Sequence, residues 1–147
     1  MKYIAYGSNM EQDAMSLRCP HARLLGTGML SNMRLEFYTH ATVEPLDGSC
    51  VPVAVWEIDE RDEKNLDWYE GYPDYYRKEE HIVRMNGGSE IIGMVYLMND
   101  DQRSLLPPGK SYYEGIRKAY MRLGLAAQIR TVLEPALMRS RERIHRK

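Results

Sequence analysis

Glu70 lies in the run Trp68-Tyr69-Glu70-Gly71-Tyr72-Pro73, with Tyr75 and Tyr76 just beyond it. Burial among rings raises a carboxyl pKa because the charged form loses water, and a place near a helix C-terminus acts in the same direction. A glutamate raised in this way suits general acid/base chemistry near neutral pH. A solvated Glu70, or one paired with Arg77 or Lys78, is the simpler alternative. The second candidate is Tyr6-Gly7-Ser8-Asn9, which leaves an apolar strand and enters a polar helical start at Glu11. Glycine tolerates φ above zero and Ser and Asn bond locally, so such a turn can aim several amide N–H groups at one point. That array suits an anion or a developing oxyanion. A plain helix N-cap at Ser8 or Asn9 accounts for the same residues.

Other chemistries find less support. His21, His40, His81 and His145 are scattered, and Cys19 with His21 has no matching second pair, so no metal site is expected. The Gly7 turn lacks the downstream Gly-Lys-Ser/Thr of a phosphate-binding loop. Ser8 is outside a Gly-x-Ser-x-Gly elbow and reads as a loop former, not a nucleophile. Cys19 and Cys50 are expected to stay reduced in a chain whose start has no export-signal layout. The run from Arg139 to Lys147 carries five Arg or Lys residues against one Glu and reads as a solvated helix end.

The 147 residues, 44% of them hydrophobic and 28% charged, are expected to form one domain over 1–147 with a substantial core. A net charge of −1 argues against a dedicated nucleic-acid binder or a protein steered to acidic membranes. No run approaches the length of a membrane span, so a cytoplasmic protein is expected. Eleven tyrosines stand against one phenylalanine, a bias that fits a polar-lined pocket or a core with wet edges.

The elements that must position the two candidates follow an α+β order. Lys2 to Gly7 reads as a strand, and Glu11 to Arg18 as a helix stopped by Pro20. Ala22 to Leu30 and Arg34 to His40 read as two strands separated by a turn at Ser31-Asn32. Asp47-Gly48 marks another turn before the alternating strand Val51 to Ile58, which Pro52 should confine to an edge or a strand start. Asp59 to Tyr69 has helix formers with acids in its first turn. Tyr75 to Met85 and Ser89 to Met98 flank Asn86-Gly87-Gly88, a hairpin signal. A loop from Asn99 to Lys110 precedes a helix carrying Tyr112, Ile116, Ala119, Tyr120 and Leu123 on one face and ending near Gly124. A last helix is expected to be kinked or split at Pro135.

Taken together, Tyr6-Gly7-Ser8-Asn9-Met10 and Leu66-Asp67-x-x-Glu70-Gly71-x-Pro73-x-x-Tyr76 resemble the γ-glutamylcyclotransferase-like family. Arg18-Cys19-Pro20, Tyr96-Leu97-Met98 and the segment from Pro107 to Tyr112, with Ile116 and Gly124-Leu125, extend the resemblance from Tyr3 to about Leu125. Ala119 departs from a common Gly of the family, and Pro52-Val53-Ala54 from a Gly-containing strand. The resemblance implies an α+β fold in which a small mixed, barrel-like sheet carries helices around its rim and holds one polar cavity. It implies Glu70 as catalytic acid/base, binding of a γ-glutamyl group by the Tyr6, Gly7, Ser8, Asn9 and Met10 loop, and a lining of Tyr76, Tyr96 and Tyr112. The implied reaction is intramolecular attack of the substrate α-amine on the γ-glutamyl carbonyl, giving 5-oxoproline and a free amine or amino acid. It needs no cofactor, nucleic acid or membrane. Two readings from other classes stay open: a non-catalytic binder of a small metabolite in the same cavity, and an interaction module using the basic C-terminal helix.

Overall fold

Strands β1 (Lys2–Ala5), β2 (Arg23–Tyr38), β3 (His40–Glu57), β4 (Tyr76–Met85) and β5 (Glu90–Met98) close on themselves in the order β1-β3-β2-β4-β5. The structure is a computed structural model that describes residues 1–145, His145 by its backbone alone; Arg146, Lys147 and the His145 side chain lie outside the described residues. All ladders are antiparallel except β1 against β5, where Tyr3 stands beside Met94. At that seam a Cβ on Gly93 would lie 2.9 Å from Ile4 Cγ1, so closing the barrel there requires a residue with no side chain.

The expected split of β2 does not occur. Asn32 has a positive φ of 59°, yet this irregularity sits inside one continuous strand opposite a second one at Gly48 (φ 84°), whose amide donates to Asn32 Oδ1 at 3.1 Å. Both turn signals therefore mark a bulge in a long ladder. The chain reverses instead at Thr39 (φ 66°), between the paired Tyr38 and His40. Distant partners hold this tip: the Thr39 amide donates to the Leu106 carbonyl at 2.7 Å, and its Oγ1 lies 3.0 Å from Ser104 Oγ.

β3 alternates in sequence but is buried on both faces from Val51 to Trp56. Val51, Val53 and Val55 are wholly buried, and on the other face the Trp56 indole donates to the Asn9 carbonyl at 3.0 Å. Full burial of each such apolar side chain stabilises the fold by about 1.5–3 kcal/mol. Pro52 lies opposite Met29 of β2 but beyond the stretch paired with β1, so the strand is an edge on that side.

Three helices frame the barrel mouth. Helix α1 (Gln12–Arg18) is capped by Glu11, whose carboxylate accepts from the Ala14 amide; Ser8 and Asn9 form a preceding 3-10 turn with Met10 and do not cap it. Helix α2 (Glu60–Glu70) starts with a reciprocal capping box between Asp59 and Asp62, and ends at Gly71 in the left-handed region (φ 66°). Helix α3 (Lys110–Arg122) buries Tyr113, Ile116, Ala119 and Tyr120. The last helical segment runs from Ala126 through a π turn (Ile129–Leu133) into the C-terminal helix (Glu134–His145). Pro135 does not split it. The wider π turn just before it, in which the Glu134 amide reaches the Ile129 carbonyl, accommodates a residue with no N–H to donate. No helix among the described residues is long and apolar enough to cross a membrane.

The C-terminal arginines do not form a solvated end throughout. Arg139 Nε and Arg34 Nε each approach Glu36 Oε1 at 2.7 Å, and Arg143 pairs with Glu36 Oε2. Arg139 and Arg143 also donate to the Leu35 and Phe37 carbonyls at 2.7 and 2.6 Å, so they latch the helix onto β2.

Candidate active site

Helix α2 delivers Glu70 to the barrel mouth because Leu66, one turn earlier on the same face, is wholly buried. The left-handed Gly71 then turns the chain away, its amide returning to the Trp68 carbonyl and the Tyr72 amide to the Asp67 carbonyl. On the opposite side, β1 ends at Ala5 and the chain folds into the Ser8–Met10 turn, braced from below by Trp56. Between them lies a cavity of about 360 Å³ lined by Tyr6, Gly7, Ser8, Asn9, Glu70, Tyr76, Tyr96 and Tyr112, all of them sequence candidates.

Met10 is the candidate that the structure places elsewhere. Its side chain is in the core, and its amide is engaged by the Gly7 carbonyl at 3.0 Å. The Ser8 and Asn9 amides open the turn and have no acceptor within it. Gly7 does not use positive φ: its angles are φ −123° and ψ −133°. What it contributes is space, since a Cβ there would lie 3.4 Å from Ala41 Cβ and 3.7 Å from the Tyr112 hydroxyl.

Residues that sequence reasoning missed also line the cavity, among them Tyr3, Tyr75 and His40. His40 gave no signal because the hairpin tip that carries it is set by Thr39 and not by a Gly or Asn pair. Its imidazole Nδ1 lies 3.2 Å from the Tyr75 hydroxyl, it meets the Tyr112 ring edge-on, and burial lowers its pKa.

Glu70 is paired with neither Arg77, which takes Glu79, nor Lys78, which takes Glu63 and Asp67. Its residue surface is half-buried, and loss of water around the carboxyl pushes its pKa up to about 7, opposed only by the Arg18 guanidinium. Its polar protein partner is the Asn9 amide, Nδ2 to Oε1 at 3.4 Å. Burial holds the lining tyrosines Tyr3, Tyr6, Tyr76, Tyr96 and Tyr112 above their usual pKa, so they stay protonated at neutral pH. Glu70 is thus the lining group poised to exchange a proton near neutrality.

The hydroxyls divide by their partners. Tyr6 and Tyr76 donate to the Tyr96 and Ala41 carbonyls, at 2.6 and 2.7 Å, and offer lone pairs to a guest. Tyr112 accepts from the Ala41 amide at 3.0 Å and Tyr3 from Asn9 Nδ2 at 2.8 Å, which leaves their protons to donate. Tyr96 donates to Asp67 Oδ1 at 2.6 Å. Acceptors, donors and one titratable carboxyl therefore share one hollow, a set suited to a zwitterionic head group.

A sequence model described as "Gamma-glutamyl cyclotransferase, AIG2-like" matches residues 3–114. The chain belongs to that family. Among solved structures, one titled gamma-glutamyl cyclotransferase superposes with a TM-score of 0.79 at 26% identity, covering 90% of this chain and 85% of its own. An uncharacterized human protein matches over the same shares at 27% identity and the same TM-score. A relative from Methanocaldococcus jannaschii, provisionally named a gamma-glutamylcyclotransferase, is 34% identical over 55 residues, 37% of this chain and 46% of that protein. That match spans less than half of the relative's length. Family and fold together support an enzyme of gamma-glutamylcyclotransferase type.

Proposed function

We propose that the protein converts a γ-glutamyl amide to 5-oxoproline and a free amine, with Glu70 as the proton carrier. The observation that carries this reading is a carboxyl with a pKa near 7 in the same hollow as the Gly7–Asn9 turn.

The glutamyl head carries its own nucleophile. Its α-amine reaches its γ-carbonyl to close a five-membered lactam, and for well-oriented intramolecular attack effective molarities reach about 10⁵ M or more. The α-amine arrives protonated, so the Glu70 carboxylate first removes that proton. The C–N bond forms, the γ-oxygen takes up the negative charge, and the amide N–H groups of Ser8 and Asn9 are disposed to stabilise that charge or the α-carboxylate. As the intermediate collapses, Glu70 returns the proton to the departing nitrogen and the scissile C–N bond breaks; the regenerated carboxylate then takes the second proton from the ring nitrogen and passes it to the freed amine, which leaves as an ammonium. Protein side chains supply all the proton transfers, and the small substrate is the one partner required. The acid/base group works from its ionised form, so kcat/KM rises with pH and levels off above about 7.

The test is incubation with a panel of γ-glutamyl dipeptides and γ-glutamylamines, with 5-oxoproline read by mass spectrometry. Glu70→Gln keeps the shape but carries no exchangeable acid proton, so turnover should fall at least about 100-fold while ligand binding persists. A Glu70→Gln protein with wild-type turnover would sink the assignment.

A further inference from the structure

Arg18, the last residue of α1, does not line the cavity, yet it touches both halves of the site. One guanidinium nitrogen donates to Asn9 Oδ1 and, at 3.4 Å, to Ser8 Oγ. The other donates to the Tyr69 hydroxyl, and the guanidinium carbon lies 3.6 Å from the Tyr69 ring centroid. Its own carbonyl accepts from Asn65 Nδ2 of α2 at 3.0 Å, which fixes where the side chain begins. The early turn and helix α2, some sixty positions apart, are thereby joined through one planar fork.

The chemistry of that fork decides which way the Asn9 amide faces. A guanidinium has donors only, so the Asn9 oxygen must face it. The Asn9 nitrogen must then face the other way, toward Tyr3 and Glu70, at 2.8 and 3.4 Å. A reversed amide would set its donors against the guanidinium and its oxygen against the carboxyl. The Asn9 backbone cannot rotate to escape, because its carbonyl is tied to Trp56 and the residue is buried.

We propose that Arg18 is a positioning residue for the Glu70 carboxyl, locking the Asn9 amide so that its donor faces that carboxyl. This rests on the proton-carrier role proposed for Glu70. The titratable groups around the cavity that holds Glu70 are Arg18 from α1, Tyr3 and Tyr6 from β1 and its exit, His40 from β3, Tyr69 beside it on α2, Tyr75 and Tyr76 at the entry to β4, Tyr96 from β5 and Tyr112 from α3. Arg18 is the cation among them that acts on Glu70, burial holding the His40 pKa down. It opposes the upward push of burial, so it also increases the carboxylate fraction at neutral pH.

The experiment has two readouts on wild type, Arg18→Met, Arg18→Lys, Asn9→Ala and the Arg18→Met/Asn9→Ala double variant. The first is titration of the Glu70 carboxyl by heteronuclear NMR, which needs no substrate. Its midpoint should move to higher pH in Arg18→Met and stay near wild type in Arg18→Lys. The second is kinetics: kcat in Arg18→Met should fall about tenfold or more with KM little changed, since Arg18 touches no substrate. The double variant should lose no more than the worse single one, because both act through one amide. Arg18→Lys keeps a cation and a donor for Asn9 and should recover most of kcat. An unmoved Glu70 midpoint in Arg18→Met, or multiplicative losses in the double variant, overturns the proposal. Should Arg18→Met not fold, Arg18→Ala, which likewise has neither charge nor donor, takes its place with the same expectations. A wild type that forms no 5-oxoproline sinks the proposed reaction, while the titration still decides whether Arg18 governs Glu70.

Discussion

Glu36 and Glu70 are both withdrawn from the surface, in opposite company. Glu36, 1% exposed, receives three guanidinium groups from Arg34, Arg139 and Arg143. Glu70, withdrawn into the barrel mouth, has a 3.4 Å amide contact and a guanidinium that acts on it through Asn9. Partners make the difference. A carboxylate matched by cations serves as an anchor, here for the C-terminal helix on β2. One whose direct polar partner is an uncharged amide holds its proton near neutral pH and can give it up and take it back.

The contrast can be broken most sharply by exchanging the readouts. Glu70→Gln should lose turnover and keep its fold, whereas Glu36→Gln should keep the cavity and lose stability. Removing one partner of a buried ion pair costs about 3–5 kcal/mol, and the partial exposure of the three arginines puts Glu36→Gln at the low end, about 3 kcal/mol by chemical denaturation. Equal stability of Glu36→Gln and wild type would remove the anchor from the comparison.

A smaller effect, at Glu70, is read through pH. The folded protein holds the Glu70 proton up to about 7, whereas the unfolded chain releases it near the ordinary glutamate value of 4.5. Stability from this group is therefore complete below about 4.5 and lost as pH rises through about 7. Glu70→Gln does not titrate, so relative to wild type it should gain stability between pH 5 and pH 8, by about 2 kcal/mol after discounting for its partial exposure. Melting curves at the two pH values measure it, and a constant difference would refute the raised pKa.

The smallest expected effect is at Tyr112. Tyr112→Phe removes the acceptor of the Ala41 amide as well as a donor to the cavity, costing about 1 kcal/mol in stability and a similar amount in kcat/KM. Denaturation and steady-state kinetics on one preparation separate the two losses.

Local chemistry made much of this legible in the sequence. The acids opening α2, the Gly71 stop and the Asn86-Gly87-Gly88 hairpin are all governed by neighbours within a few positions, and each element lies where its residues imply. The β2–β3 ribbon was misread for the opposite reason. Asn32 and Gly48 carry real positive-φ signals, but they face one another across a ladder and form a bulge. The true reversal at Thr39 has no such signal, since its partners are Ser104 and Leu106. For the same reason His40 was not legible as a cavity residue. Glu70 was legible as a candidate because its ring-rich surroundings are local. Arg18 was not, because its importance arises from Asn9 and Tyr69 meeting in space.

The ties from Thr39 to Ser104 and Leu106 make the cavity rim a joint product of two stretches of chain. A graft of the 99–110 loop from a relative would carry its own backbone but cut both moorings of the hairpin tip, and with them the stance of His40. Altering what enters this protein is thus a two-segment exercise: the tip and the loop must be transplanted as a matched set.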